Sequence, residues 1–329
     1  MPHPVSPAPV DHAAIAAAAA RLDGRIVATP TLRLNQARMH RHLPAGCDAH
    51  MKLELFQQAG SFKTRGVLLA IDALDETSRA AGVTAVSAGN HALAVAWGAR
   101  DAGLSAKVVM PRTADPVRVA GCEAMGAEVV LVDDVGVAFA TADALVRDEG
   151  RTMLHPFESD AMMLGAATVG AELARAVPDG LDAAIVPIGG GGLIAGMAVG
   201  IGSVHPACEI IGVEPEGADS MSRSFRVGEP VRLEAVRTIA DSLGAPMALP
   251  LTYEAARRTV SRIVRLPESA FPPAMRLMFD ALKLVAEPAC AASLAALTGP
   301  LREEMAGRRV AVIACGSNIS LERFAAIAG

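Results

Sequence analysis

Short apolar runs alternate with longer helix-like stretches along most of the chain. "VTAVS" (83–87) is followed by "HALAVAWGARDAG", "SAKVVMP" by "PVRVAGCEAMG", and "AEVVLV" by "VAFATADALVRDEG". "RTMLHP", "AMMLGAATVGAELARAV", "AAIVPI", "GLIAGMAVGI" and "EIIGVEP" continue the series. Each short run is almost wholly apolar, the pattern of strands covered on both faces of a parallel sheet. The alternation predicts an α/β fold with right-handed crossovers. "TRGVLLAIDAL" predicts an amphipathic helix with Val67, Leu68, Ile71 and Leu74 on one face. Residues 1–12, rich in Pro, read as a loose tail.

Composition narrows the function classes. At 329 residues the chain is too long for one small core, so two domains are expected. Its 52% hydrophobic content excludes disorder, and a net charge of -5 with 3% aromatics argues against nucleic acid as a partner. Five cysteines form no CxxC pair, which fits reduced thiols and a cytoplasmic protein. Residues 183–204 carry no charge and are long enough to span a bilayer. Pro187 and four consecutive glycines would break such a helix, so a buried strand, a glycine loop and a buried helix are expected instead, and no membrane partner.

Three loops carry candidate chemistry. In "QQAGSFKTRG", Lys63 opens the amphipathic helix, where the macrodipole is positive and Arg65 adds a second cation; both disfavour a charged amine. "IVPIGGGGLIAG" is strand, glycines, helix. Gly189, Gly190, Gly191 and Gly192 suit a phosphate cradle, since backbone N–H groups approach the anion closely there. A tight turn alone is the plainer reading. Gly190, Gly192 and Ala195 also satisfy a loose G-x-G-x-x-A, with Glu214 where a ribose-binding acid would stand, so a nicotinamide-dinucleotide-binding protein is the rival of a different class. "SAGNHA" sets Ser87, Ala88, Asn90 and His91 at a strand end, suited to a carboxylate or phenolic oxygen but equally to helix capping. "ACGSNIS" ends a further strand with Cys315, either a core filler or a weak uncharged partner for a ring nitrogen.

Together "GSFKTRG", "SAGNHA", "GGGGLIAG", "RTIADSLG", "AEPACAASLAAL" and "ACGSNIS" occur in the order found in fold-type-II pyridoxal-phosphate enzymes, from about residue 22 onward. Within them the chain resembles the serine/threonine dehydratases (ammonia-lyases) and is similar to the serine racemases. The resemblance implies a tryptophan-synthase-β-like fold of two open twisted sheets. Residues 1–76 and 155–329 would form the large cofactor domain, and 77–154 the small substrate-side domain. It implies Lys63 as the Schiff-base lysine and general base, with Phe62 supporting the cofactor side. Gly189 to Gly192 and Leu193 would hold the phosphate, Asn90 the ring hydroxyl, and Cys315 the pyridine nitrogen. A thiol there leaves that nitrogen largely unprotonated, which discourages transamination. Ser87, Ala88, Asn90 and His91 would line the substrate carboxylate pocket.

The implied reaction is loss of water from L-threonine or L-serine, giving a 2-oxo acid and ammonia. Serine racemases carry Ser where this chain has Ala88, so elimination is preferred to racemisation; a serine or hydroxyaspartate racemase/dehydratase is the alternative within the fold. Glu214 and the carbonyl of Ala218 match a family cation site, but the expected carboxylate falls at Ser220, so a divalent or monovalent cation is a doubtful expectation. Asp241 and Ser242 are expected at the rim, and Phe56 and Gln57 near the side-chain pocket. "PPAMRLMFDALKLV" reads as a core helix that also suits a homodimer face. The chain ends one helix after the cysteine motif, so no isoleucine feedback domain is expected.

Overall fold

The computed structural model describes residues 11–329. Residues 1–10 of the expected tail lie outside the described residues, but Asp11 and His12 depart from that reading. The Asp11 carboxylate accepts from the amide of Ala14 and caps the helix His12–Leu22.

Ten strands form two sheets. They are β1 Thr31–Arg33, β2 Asp48–Leu53, β3 Val83–Val86, β4 Ala106–Pro111, β5 Glu128–Val132, β6 Thr152–Met153, β7 Ala183–Pro187, β8 Glu209–Pro215, β9 Arg262–Leu266 and β10 Arg309–Ala314. The larger sheet runs β1-β2-β10-β7-β8-β9 and the smaller β5-β4-β3-β6. All pairings are parallel except β1 with β2. The α/β expectation holds, and β7 and β10 are buried along almost their whole length, as apolar runs predict. Three strands have no such signal. β1 is only "TLR", β2 is the mixed "DAHMKL", and β9 places Arg262 and Arg265 on a sheet edge. The "RTMLHP" run pairs for only two residues, because the chain then leaves the sheet to line a cleft.

The strands of the smaller sheet all lie between residues 77 and 154, but the apolar cluster beneath it also takes in Val67, Ile71 and Met162. The helix Lys63–Asp72 is buried on more than one side, since Leu68 and Leu69 pack on Ala18 and Leu22 of the first helix. It therefore joins both units rather than showing one apolar face.

The uncharged stretch 183–204 resolves into β7, a glycine turn and the helix Gly192–Gly202. Among the described residues, no helix is long and apolar enough to cross a membrane. This helix packs closely on Asp160–Arg175. A Cβ at Gly196 would sit 2.2 Å from the Met163 carbonyl oxygen, and one at Gly200 would sit 2.1 Å from that of Ala167. Neither neighbour is a flexible side-chain end, so the two backbones must separate to admit any side chain. The close crossing aims the start of the Gly192–Gly202 helix at the cleft. Gly196→Val is expected to destabilise the protein by about 1–3 kcal/mol, read as a lowered thermal midpoint; an unchanged midpoint refutes the close-packing account.

Candidate active site

The cleft between the sheets holds a cavity of about 260 Å³. Phe62, Lys63, Ser87, Ala88, Asn90, His91, Gly189 to Leu193 and Cys315 all line it, as do Asp241 and Ser242, but Phe56 and Gln57 do not: the Phe56 ring is exposed and the Gln57 amide is bonded to the backbone of Val27.

Lys63 is placed from two directions. Ala59 (φ 54°) and Gly60 (φ 69°) turn left-handed just before it. The following residues are stitched to the end of β10: Phe62 N–H donates to Cys315 O at 3.1 Å, and Ser317 N–H to Gly60 O at 3.0 Å. This brings Lys63 and Cys315 to one wall. The amine donates to the carbonyl of Pro156. Desolvation in the cleft pulls Lys63 down from the ordinary lysine value to about 8, with the nearby Cys315 opposing the shift.

Arg65 does not act on Lys63 as the sequence suggests. Its guanidinium is fully buried and turned away, donating to Glu54 Oε1 at 2.8 Å and Oε2 at 2.9 Å, and to Glu172 Oε2 at 2.8 Å. Two carboxylates neutralise it. Burial, not a neighbouring cation, lowers the lysine.

The glycine loop has the form of an anion cradle. Gly191 has φ 92°, which side-chain-bearing residues rarely adopt. A Cβ at Gly190 would come within 2.2 Å of the Phe157 ring. Among the described residues, no acceptor takes the amides of Gly189, Gly190 or Gly191, and the start of the Gly192–Gly202 helix adds its own free N–H groups. A phosphate monoester fits these donors. The dinucleotide reading fails here, because Glu214 is not available to a ribose. Its Oε1 and Oε2 accept from the amides of Met221 and Ser222, both at 2.8 Å. Burial raises Glu214 to about 7.

The same contacts change the picture at the candidate cation ligands. Glu214 caps the helix Ser220–Val227, while Asp219 pairs with Arg223 and Arg265. Among the described residues, no group of three His, Cys, Asp or Glu is arranged for a metal. Of the expected ligands only Glu214 is taken up structurally; the buried Ser220 hydroxyl has no partner among the described residues.

In the "SAGNHA" loop, Ser87 Oγ accepts from Gly89 N–H at 3.1 Å and so braces the turn. His91 Nε2 donates to Leu154 O at 2.7 Å, and burial with the Lys63 charge pushes its pKa down to about 3. The ring is neutral, and its buried Nδ1 has no partner. His155 is likewise held low, at about 4, by burial and then Lys63; its Nδ1 accepts the amides of Phe157 and Glu158. Cys315 is pushed well above the usual thiol value by its bond to Cys290 and by burial, so it stays a neutral thiol.

Four residues at the site carry no sequence signal strong enough to find them. Phe157 covers the glycine loop. Arg118 and Glu287 line the cavity, and Asn318 donates to Asn90 Oδ1 at 2.7 Å. Glu287 and Asn318 do leave a trace, since they lie inside "AEPACAASLAAL" and "ACGSNIS", and Glu287 is the lone acid entering the wholly buried helix Pro288–Thr298.

Comparison with known proteins agrees with this geometry. The family model "Pyridoxal-phosphate dependent enzyme" matches residues 13–316. Phenylserine dehydratase of Ralstonia pickettii is 50% identical over 280 residues, covering 85% of this chain and 86% of that one. The catabolic L-threonine dehydratase of Escherichia coli K12 is 36% identical over 313 residues, covering 94% and 93%. The structure of maize serine racemase superposes with a TM-score of 0.89 at 32% identity, covering 95% of this chain and 94% of that one. The chain belongs to the pyridoxal-phosphate dependent enzymes.

Proposed function

We propose that this chain dehydrates β-aryl-β-hydroxy-α-amino acids of the phenylserine class to a 2-oxo acid and ammonia. It is a pyridoxal-phosphate-dependent ammonia-lyase acting on hydroxy amino acids, and the aryl preference refines that activity. One observation carries the reading: a desolvated amine at Lys63 shares a cavity with the free amides of the glycine loop. The identity to a phenylserine dehydratase supports the aryl group.

Pyridoxal phosphate, when bound, supplies the electron sink that makes the substrate α-proton acidic. The protein's part follows from its own groups. Lys63 would hold the cofactor by its aldehyde carbon, and a free Nζ would serve as the base for the substrate α-proton. Gly189 to Gly192 and Leu193 hold the phosphate by their N–H groups. Phe62 would support the cofactor, Asn90 would meet its ring oxygen, and the neutral Cys315 thiol would stand at its ring nitrogen without charging it. The substrate carboxylate sits on the Ser87–His91 loop, at the start of the helix Asn90–Asp101. Ala88 has no proton to return on the opposite face, and Ser242 is tied to Glu287. Elimination is favoured over racemisation.

The finer assignments belong to the same reading. Residues 1–76 with 155–329 act as the cofactor domain and 77–154 as the substrate-side domain. Two copies pair through the exposed Phe279 and Leu321, and five free cysteines suit a reducing cytoplasm.

Three measurements test this. Purified protein is expected to be yellow, and Lys63→Ala to be colourless and inactive with an unchanged thermal midpoint; a yellow, active variant removes the assignment. A panel of serine, threonine, 3-hydroxyaspartate and phenylserine in both configurations is expected to give the highest kcat/KM with a phenylserine, and a preference for serine overturns the aryl reading. Because Lys63 lies below its ordinary value, its neutral form gains as pH rises. Cofactor uptake by apoprotein should climb to a plateau above about pH 8, and fall about tenfold per unit below it. A midpoint near 10.5 would mean that the cleft does not desolvate the amine.

A further inference from the structure

One arginine on the cavity wall has no part in the reaction described above. Arg118 lies on the helix Pro116–Ala124, beside the smaller sheet, with 3% of its surface exposed. Its guanidinium crosses the cleft. On its own side, Nη1 donates to Ala88 O at 3.1 Å, in the loop that follows β3. From the side of the larger sheet it meets Asp241 Oδ2 at 2.8 Å, Asn318 O at 2.9 Å and Glu287 Oε2 at 3.5 Å. Arg323 of the last helix reaches Asp241 as well, at 3.4 Å, and lies 3.9 Å from Asp115, the cap of the Arg118 helix. The two units are thus laced by alternating charges that run inward and end at Glu287.

Glu287 is wholly buried. Its Oε1 accepts from Asn90 Nδ2 at 2.6 Å, while Asn318 Nδ2 donates to Asn90 Oδ1 at 2.7 Å. The Asn90 amide is gripped at both ends, and its orientation depends on Glu287 being an acceptor. The ionised carboxylate accepts on both oxygens and donates on neither, whereas the protonated acid brings an O–H donor into the cluster and is a weaker acceptor. Burial opposes that charge, and the carboxylate of Asp241 opposes it further. Facing Glu287 are Arg118, Asp241, Ser242, Asn90 and the neutral Cys315 thiol; of these only Arg118 carries positive charge.

We propose that Arg118 is a positioning residue for the elimination: it ties the two sheet units across the cavity and holds Glu287 as an anionic acceptor, which fixes Asn90 toward the cofactor's ring oxygen. The inference rests on the proposed placing of Asn90. It would sort Arg118 with the residues that set the cofactor's electronics, although it touches neither cofactor nor substrate.

The test uses holoenzyme with Arg118→Gln, Glu287→Gln, the double variant and Arg118→Lys. Two profiles are read against pH: the acid limb of kcat/KM with phenylserine, and the visible absorbance of bound pyridoxal phosphate. Loss of Arg118 raises the carboxyl pKa of Glu287, so Asn90 loses its charged acceptor at a higher pH and its hold weakens. In Arg118→Gln, both the acid limb and the absorbance midpoint are expected to move up by about one to three pH units. Arg118→Lys should move them less, since charge remains while the fork is lost. In the Glu287→Gln background, Arg118→Gln should shift neither profile further. Profiles of Arg118→Gln at the wild-type positions overturn the proposal, as does an equal shift with and without Glu287. Should Arg118→Gln not fold, Arg118→Lys decides: an upward displacement supports the role and an unmoved absorbance midpoint refutes it. The absorbance arm needs no turnover, so it can fail or succeed separately from the substrate reading.

Discussion

Arg65 has no water around it, and the placing of Lys63 depends on how its charge is met. Glu54 comes from the turn after β2 and Glu172 from the helix Asp160–Arg175. Lys52 joins at 2.8 Å from Glu172. A buried guanidinium left with one carboxylate costs about 3–5 kcal/mol, so the Lys63 helix has little freedom to slide or rotate. The cluster is also what spares Lys63 a cationic neighbour. Two basic residues two positions apart point to opposite surroundings, one charge matched in the protein interior and the other an amine whose proton is loosened by burial at a cleft.

Much of the architecture was legible because it rests on local pattern. The apolar runs of β3, β4, β7, β8 and β10 mark buried parallel strands, whereas the equally apolar β5 is a sheet edge with Leu131 exposed; the lysine, asparagine and glycine loops sit where sheet ends meet helices. β1, β2 and β9 were not legible, because edge and mixed strands carry polar residues and their identity comes from the neighbours that pair with them. At the site, most residues within a motif could be read; Glu287 and Asn318 sit inside motifs, but their partners arrive only by folding, and so does Arg118. Arg118 stands in an unremarkable helix, and only the meeting of two sheets brings it to Glu287. The cause of the Lys63 shift was misread for the same reason. Sequence proximity suggests a field from Arg65, but the field is decided by where the guanidinium points. Glu214 shows the converse: its spacing suits a ribose or a cation, yet both oxygens are taken by a helix start.

The site gains its form from close approaches that leave no tolerance. Phe157 lies where a side chain on Gly190 would be, and the Gly192–Gly202 helix can aim at the cleft only because its backbone nearly touches the one beside it. Side chains are absent at these points so that amides can face the cavity. Rigid backbone on the larger-sheet side thus opposes a smaller sheet held by ion pairs and the shared helix Lys63–Asp72.

The two imidazoles beside the amine have a consequence for proton transfer. His91 and His155 remain uncharged through the neutral range, so neither can act as an acid there. On the proposed reading, Lys63 then works beside two uncharged rings, and neither imidazole competes with its amine for a proton near neutral pH.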